Sequence, residues 1–294
     1  MNRIEDEIYN IIYEEMNDLL NKMLADYQEK IKRKQYNWTV SRFDDTILSH
    51  MVFARSFESK QGNAFENIIR RICELNFGKE NVPNIIRSED VTNEEYDIYC
   101  KEKYSKKKNK SHQYIISKFS KKNDGKLSSF RAEHAGNGRG EDRTPSTLTQ
   151  EELPKLLSGK IIPSDNVIEQ PVDLLYYDKF EEKYQLFEIK AGGDLDSSNA
   201  PKNVEKLLKI YSSLGEENAN IYFATIYHKD GEGNTWTGNV KTHLAEDCIL
   251  IGEAFWEFIL PDEISFDEFK EIYFEVFDDL EFEEKLSNLI NDNA

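Results

Sequence analysis

The sequence predicts an α/β fold in which a mixed central sheet that contains a strand hairpin is flanked by helices. Residues 172–177 and 184–190 are apolar and aromatic runs separated by a charged segment, which is typical of two strands joined by a turn. Residues 219–227 form another strongly apolar run and predict a buried strand. Apolar side chains spaced three and four residues apart predict helices before and after these strands.

Four helices are predicted from this spacing and from local signals for helix starts. The third follows the Gly192-Gly193 break, and the last begins at Ser265, where Ser265 and Glu268 have the spacing of a capping box. A short strand at 248–251 leads into a helical segment at 253–260. The predicted helices cover residues 4–31, 61–75 and 199–214 and the segment from Ser265 to about Leu280.

The net charge of −18 argues at first sight against a nucleic-acid partner. The charge is unevenly distributed, however. Residues 101–143 carry 13 Lys and Arg against 5 Asp and Glu, whereas residues 253–292 carry 2 basic against 14 acidic residues. Because exposed charges interact only over about 8 Å at physiological salt, an acidic flank does not exclude a basic face elsewhere. Net charge therefore leaves a nucleic-acid partner open.

The sequence favours a cytoplasmic protein. No apolar run approaches the roughly 18 residues that a membrane span needs, and the acidic, helical N-terminal pattern does not resemble a secretory signal. Cys73, Cys100 and Cys248 show neither the spacing of a metal site nor a disulfide framework, which fits a reducing compartment.

The most informative segment is Pro171-Val172-Asp173, followed after fourteen residues by Glu188-Ile189-Lys190. An acidic residue two positions before a lysine is common in a chain that is 32% charged, so the context has to distinguish this one. Here the triplet ends an apolar strand, and strand alternation places Glu188 and Lys190 on the same face. Charged groups on a covered sheet face are costly unless they are paired or bind a metal.

A hairpin would bring Asp173 next to Glu188, and two such carboxylates repel unless a cation lies between them. Mg²⁺ is the usual ion where phosphate is the substrate, and it can lower the pKa of a bound water. Lys190 is suited to orient or deprotonate that water. The residue types needed for phosphodiester hydrolysis therefore occur together. The alternative is a salt bridge between Lys190 and an acid on an exposed hairpin.

The pair of motifs resembles the PD-(D/E)xK nuclease superfamily, with Val172 between Pro171 and Asp173 as a departure. More narrowly, residues 187–196 resemble the TdeIII-like group of type II restriction endonucleases. Two further similarities to this group lie in other parts of the chain. They are Phe53, Arg55, Ser56 and Phe57 followed by Gly62, Phe65 and Glu66, and residues 249–252 with Phe255-Trp256.

This resemblance implies a central mixed sheet, with Mg²⁺-dependent cleavage of double-stranded DNA at a short sequence by a homodimer. It implies that Asp173 and Glu188 bind the metal, that the Ile189 carbonyl is a further ligand and that Lys190 positions the attacking water. Glu66 matches a glutamate that reaches the metal from the preceding helix in many members of the superfamily, although a solvated helix glutamate is an equal alternative. The group suggests an interrupted palindrome such as GGNCC.

On this interpretation the whole chain, residues 1–294, is one elaborated endonuclease domain. We expect additions to a catalytic core at both ends and in the middle, where lysine runs and a glycine-rich stretch predict long loops. The expected parts are an N-terminal helical region at 1–50, a core at 51–100 and 166–260, a basic loop-rich insertion at 101–165 and an acidic C-terminal helix at 261–294.

Contacts to DNA are expected from two sets of polar residues. The first follows the catalytic strand and could read base edges, or could simply be a polar helix start capped by Asp196 or Ser197. The second consists of arginines that suit phosphates, or that lie in solvated loops. The first set is Asp194, Asp196, Asn199, Lys202 and Asn203, and the second is Arg131, Arg139 and Arg143.

Two other functions remain open at this point. The same centre would serve a structure-selective repair or junction nuclease. The triplet could also be a coincidence in a non-catalytic DNA-binding or scaffold protein. For the homodimer, the apolar helices at 8–31 and 266–280 could supply an interface or could pad the core of one chain.

Overall fold

The structure is a computed structural model that describes residues 3–107, 112–137, 144–158, 161–192 and 195–291. Within these ranges the chain contains two mixed sheets flanked by helices, which confirms the predicted α/β class. The helices are α1 (Arg3–Gln35), α2 (Asp45–Phe77), α3 (Asn93–Glu102), α4 (Asp124–Glu133), α5 (Leu153–Ser158), α6 (Ala200–Leu214), α7 (Glu253–Ile259), α8 (Phe266–Asp279) and α9 (Phe282–Asn291). The strands are β1 (Ile85–Arg87), β2 (Gln113–Phe119), β3 (Pro163–Val172), β4 (Leu174–Asp178), β5 (Lys183–Lys190), β6 (Ala219–Thr225) and β7 (Ile249–Ile251).

The chain divides into two compact units, one formed by Met1–Ile72 with Leu260–Ala294 and the other by Cys73–Ile259. The prediction that residues 1–294 form one elaborated domain is not tested by this division. None of the described helices is long and apolar enough to cross a membrane. Cys73, Cys100 and Cys248 are free thiols, in line with the spacing argument from the sequence.

The first unit is helical and is built on the amphipathic stripe of α1. Side chains at the predicted spacing, including Ile8, Met16 and Tyr27, are fully buried. The Tyr27 hydroxyl donates a hydrogen bond to the Ser49 carbonyl on α2 at 2.7 Å. The capping box predicted at Ser265 is present at the start of α8. The periodicity of the sequence therefore predicted this unit well, although α2 begins sixteen residues before the predicted start at 61.

The second unit contains both sheets. In the three-stranded sheet, of order β1-β2-β3, β2 is parallel to β1 and antiparallel to β3. The four-stranded sheet has the order β4-β5-β6-β7, with the predicted hairpin formed by β4 and β5 and with β6 and β7 parallel to β5. A single residue, Asp173, separates the end of β3 from the start of β4. The chain thus passes directly from one sheet into the other at Asp173.

The side chain of Gln113 joins the two sheets. Its amide oxygen accepts from the Leu175 N–H at 2.7 Å, and its amide nitrogen donates to the Leu175 carbonyl at 2.6 Å and to the Pro83 carbonyl at 2.7 Å. Gln113 is only 1% exposed, so these bonds replace bonds to water. The side chain therefore pairs with β4 as a neighbouring strand would.

We expect Gln113→Ala to lower the free energy of unfolding by roughly 2–3 kcal/mol, because it leaves buried backbone groups of Leu175 without partners. Urea denaturation followed by circular dichroism measures the change. Gln170→Ala on β3 is the matched control, since Gln170 is also buried but makes one long hydrogen bond of 3.5 Å to the Pro171 carbonyl. Equal destabilisation by both variants would contradict the proposed role of Gln113.

The expectation of long loops in the insertion at 101–165 is wrong for several stretches. Residues 113–119 form β2, the middle strand of its sheet, and residues 124–133 form α4. Gln150 shows how tightly this segment is integrated: its amide donates to the Ile221 carbonyl at 2.7 Å and accepts from the Ile221 N–H at 3.0 Å. A short apolar run among lysines is a weak signal for a strand. Whether such a run forms a strand depends on its pairing with other strands.

Two apolar layers cover the four-stranded sheet. On one side, α6 buries Val204, Leu207, Leu208 and Tyr211 in a cluster that also contains Leu186 of β5. On the other side, aromatic rings surround Phe187, which is fully buried. Its ring lies 5.9 Å from that of Tyr176, 5.1 Å from that of Tyr222 and 6.0 Å from that of Phe255. Both faces of β5 are therefore covered by apolar side chains.

Candidate active site

Asp173 occupies the bend between β3 and β4, and not the strand that the sequence predicted from residue 172 onwards. Leu174 pairs with Phe187 across the hairpin, so Asp173, which precedes Leu174, comes beside Glu188, which follows Phe187. The Ile189 N–H donates a hydrogen bond to Asp173 Oδ2 at 2.9 Å. This bond anchors the carboxylate at the end of the hairpin, next to Glu188.

Glu188 and Lys190 lie on one face of β5, as strand alternation predicted. The side chain of Glu188 is 1% exposed, and Lys190 Nζ donates to its Oε1 at 2.6 Å. Lys190 Nζ also lies 3.8 Å from Asp173 Oδ2. With a side chain that is 33% exposed, Lys190 links the buried Glu188 and the partly buried Asp173 to the surface.

Gly192, which follows β5, lies against the side chain of Tyr227. A Cβ on Gly192 would lie 2.5 Å from the Tyr227 ring, so a larger residue there would require that ring to move. The close contact at Gly192 is therefore with an aromatic side chain. Gly193, the second glycine of the pair, lies outside the described residues.

A second lysine, which sequence reasoning missed, contacts both carboxylates. Lys206 lies in the middle of α6, and its Nζ donates to Asp173 Oδ1 at 3.0 Å and forms an ion pair with Glu188 Oε2. Lys206 is one helical turn before the buried Ile210, which was the one available signal that it points towards the sheet. That signal is weak, because it does not say which strand the helix covers.

The pKa values of the two carboxyl groups are shifted in opposite directions. Burial alone would raise the pKa of Asp173, but Lys206, Lys190 and the Ile189 N–H together hold that pKa below its usual value. For Glu188, burial and the charge of Asp173 raise the pKa, and the two lysines only partly oppose this. Paired carboxyl groups whose pKa values are pushed apart are typical of functional sites.

The donor set fits a hard divalent ion that keeps part of its water shell. Asp173 and Glu188 are two adjacent carboxylates, and Mg²⁺ is often held by one or two carboxylates with water in its other positions. Among the described residues, no group of three or more His, Cys, Asp and Glu side chains forms a metal cage. Glu188 Oε2 also has no partner of normal hydrogen-bond geometry in the described part of the chain, only the Lys206 ion pair. Such an atom is suited to a metal.

Comparison with known proteins supplies the identity that the geometry alone does not. Residues 4–276 match the model of a family described as Type II restriction endonuclease, HinfI. The chain belongs to this family. It is therefore a restriction endonuclease, a site-specific deoxyribonuclease whose substrate is DNA. No curated protein and no solved structure matches the chain.

Family membership favours the restriction enzyme over the two other functions that the sequence left open. The match covers both units from α1 to α8, so it does not depend on the short motif at Glu188. It does not test the narrower similarity to the TdeIII-like group. It also does not assign catalytic residues, so the roles of Asp173, Glu188 and Lys190 remain predictions.

Polar side chains at the start of α6, where this restriction endonuclease was predicted to read bases, bond mainly to one another. The Asp196 carboxylate accepts from the N–H groups of Ser198 and Asn199 at 2.8 Å. The Ser198 hydroxyl also donates to this carboxylate. Its bond has the largest effect, and together these bonds lower the pKa of Asp196. Asn203 donates to the Asn199 carbonyl at 2.8 Å, and Lys202 is exposed. Asn199 is the N-cap of α6 and makes no side-chain cap hydrogen bond, so the alternative that Asp196 or Ser197 caps the helix is wrong. The Asp196 carboxylate instead stabilises the turn before α6, and base reading by this set stays a prediction.

Three of the other predicted DNA contacts cannot be placed. Asp194, Arg139 and Arg143 lie outside the described residues. Arg131 is described, and its guanidinium donates to Glu205 on α6 at 3.0 Å and contacts His243 Nδ1 at 3.2 Å. Burial and the charge of Arg131 lower the pKa of His243 to about 4. Arg131 therefore has a structural partner, and a phosphate contact remains a prediction for it.

Glu66 and the Ile189 carbonyl complete the predicted site. Glu66 lies on α2 in the first unit, whereas Asp173, Glu188 and Lys190 belong to the second. Its expected role at the metal stays a prediction. Ile189 contributes its N–H to Asp173, and the metal-binding role of its carbonyl likewise stays a prediction.

Proposed function

We propose that this chain is a type II restriction endonuclease that makes Mg²⁺-dependent double-strand cuts at a short DNA sequence through a PD-(D/E)xK centre. The supporting observation is that the partly buried Asp173 and the buried Glu188 lie beside Lys190 at the end of a hairpin, in a chain of a restriction endonuclease family. Asp173 and Glu188 are the proposed metal ligands, with the Ile189 carbonyl and Glu66 as further candidates.

In this proposal the residues around the metal have separate roles. Bound Mg²⁺ would supply stabilisation of charge on the scissile phosphate and a bound water of lowered pKa. The bond from the Ile189 N–H keeps the Asp173 carboxylate oriented towards Glu188. Lys190 is partly exposed beside Glu188, so its ammonium can orient the attacking water and hold negative charge that develops on the phosphate.

The finer assignment rests on the sequence resemblance. We propose that the enzyme is related to the TdeIII-like group and recognises an interrupted palindrome such as GGNCC. Asp196, Asn199, Lys202 and Asn203, with Asp194, are the candidates for base contacts, while Arg131, Arg139 and Arg143 are the candidates for phosphate contacts. Sequencing the ends of the fragments gives the recognition sequence and the cut position directly, and a recognition sequence without GGNCC symmetry would refute that proposal.

Cleavage should require a divalent ion, and DNA binding should depend on it as well. The anionic pair Asp173 and Glu188 repels a phosphate until a cation neutralises it. We expect plasmid DNA to be cut into discrete fragments in Mg²⁺ and to stay intact in EDTA. We also expect specific binding in gel-shift assays to be tighter in Ca²⁺ than in EDTA. Hydrolysis in EDTA, with binding indifferent to divalent ions, would contradict the metal mechanism.

We also propose a homodimer, because one chain offers one candidate centre whereas a palindromic duplex presents two equivalent scissile bonds. The stripes of α1 and α8 are already buried within the first unit, so they are used inside the chain. Exposed apolar side chains such as Phe274 and Leu24, 61% and 43% exposed, remain on the same two helices.

The dimer should be present without DNA. We expect light scattering at micromolar concentration to give about twice the 34.4 kDa mass of one chain. A monomer both in the free state and bound to a single DNA site would refute the dimer and would favour a nicking enzyme that acts on one strand at a time.

A further inference from the structure

Two ammonium groups share the carboxylate pair, and they do so unequally. Lys190 donates to Glu188 Oε1 and only approaches Asp173, at 3.8 Å. Lys206 contacts both acids, with its Nζ at 3.0 Å from Asp173 Oδ1 and in an ion pair with Glu188 Oε2. Lys206 therefore contacts both carboxylates closely, whereas Lys190 contacts Glu188 closely and forms only a long ion pair with Asp173.

Lys206 contacts the two carboxylate oxygens that accept no hydrogen bond from the Ile189 N–H or from Lys190. Asp173 Oδ2 accepts from the Ile189 N–H, and Glu188 Oε1 accepts from Lys190. The remaining oxygens, Asp173 Oδ1 and Glu188 Oε2, meet at the Lys206 ammonium. Asp173 and Glu188 would hold a divalent ion through their carboxylates, and Lys206 already neutralises both of them, so the ion and the ammonium would compete for the pair.

The charge of the group supports this competition. Two ionised carboxylates and two ammonium groups sum to zero, and a neutral site attracts a divalent ion only weakly. Lys206 stands on a flexible four-carbon side chain that is 31% exposed, so the ammonium has a route to solvent. Lys190 must stay by the site to orient water, which leaves Lys206 as the cation that departs.

We propose that Lys206 is a built-in counter-cation that holds Asp173 and Glu188 together in the metal-free enzyme and releases them when a divalent ion binds. This inference rests on the proposed function, since it requires Asp173 and Glu188 to be the metal ligands. It assigns to α6 a role in metal binding: the helix carries a charge that keeps the site assembled and sets its affinity for the ion.

The test measures metal binding without DNA, so that it does not depend on cleavage. A unit charge within about 4–6 Å changes the affinity of a carboxylate for a proton by ~10- to 1000-fold. We therefore expect Lys206→Met to bind Mn²⁺ about tenfold more tightly than the wild type or better. Electron paramagnetic resonance of free Mn²⁺ gives the affinity at pH 8. The matched control is Lys209→Met, one turn further along α6, because Lys209 lies 3.7 Å from Asp124 instead.

One further variant and one stability measurement separate the proposal from its alternatives. Lys206→Arg keeps the charge and should bind Mn²⁺ with nearly wild-type affinity. Lys206→Met should be less stable than the wild type without metal, and Mn²⁺ should raise its Tm more than it raises that of the wild type. If Lys206→Met is unfolded without metal, Mn²⁺ should restore its circular dichroism spectrum, and failure to do so counts against the proposal.

The outcomes distinguish this inference from the proposed function. If Asp173→Asn loses Mn²⁺ binding while Lys206→Met binds no more tightly than the wild type, the counter-cation role is overturned and the metal site stands. Weaker binding by Lys206→Met also overturns it, since Lys206 would then support the ion. If Mn²⁺ binding is absent from every variant, or is unaffected by Asp173→Asn, the proposed metal site itself fails.

Discussion

Asp173→Asn and Lys190→Met should each reduce cleavage of plasmid DNA by about 10³-fold or more, because both side chains are proposed to act on the metal or on the reacting water. Asparagine can still accept the hydrogen bond from the Ile189 N–H, so the hairpin should keep its shape. Lys190 is partly exposed, and its removal leaves Lys206 in contact with Glu188. Single-turnover cleavage with sequenced ends measures the effect.

The other end of the β4–β5 hairpin provides matched controls. Asp178 accepts from the Phe180 and Glu181 N–H groups in the hairpin turn, and Lys183 begins β5 opposite Asp178. Asp178→Asn and Lys183→Met should cut at the wild-type rate. Circular dichroism should show that all four variants are folded. Specific cleavage at the wild-type rate by Asp173→Asn or Lys190→Met would remove that residue from the active site.

Phe187→Ala should lower the free energy of unfolding by about 3–5 kcal/mol, the range for removing a fully buried aromatic side chain. Phe187 is 0% exposed and its ring contacts Tyr176, Tyr222 and Phe255. It precedes Glu188 on β5, so the cavity would open directly behind the candidate site. Urea denaturation with fluorescence detection measures the loss.

Phe180→Ala is the control for this prediction. Phe180 lies in the turn of the same hairpin and is 96% exposed, so its removal should change the free energy of unfolding by no more than about 0.5 kcal/mol. A loss below about 1 kcal/mol for Phe187→Ala, small for a buried aromatic, would mean that the aromatic layer does not hold β5. The proposed support of Glu188 by that layer would then have to be abandoned.

Elements with strong local periodicity were predictable from the sequence. The stripe of α1 repeats from Ile8 to Ile31, and Ser265 with Glu268 marks the start of α8 by a bond between near neighbours. The β4–β5 hairpin was predictable for the same reason, since its two apolar runs are separated by a short charged turn. Such signals depend on residues a few positions apart, and single-sequence reasoning can use them.

The strand at 113–119 was not predictable in this way. It lies among lysines, and its partners, β1 and β3, are about 30 and 50 residues away in the sequence. The joining of the two sheets by Gln113 and the pairing of Gln150 with Ile221 depend on glutamines whose sequence context says nothing of their partners. These features arise from backbone groups that must find partners once they are buried.

Within the candidate site, the sequence by itself determined that Glu188 and Lys190 share a face, because alternation along a strand is local. The hairpin pattern also placed Asp173 close to Glu188. Only the tertiary structure decided that Lys206 bridges the two carboxylates, since that contact requires α6 to pack across the end of β5. A lysine 33 residues from Asp173 along the chain can meet it only through that packing, and packing depends on the shape of the assembled core, which no short pattern encodes.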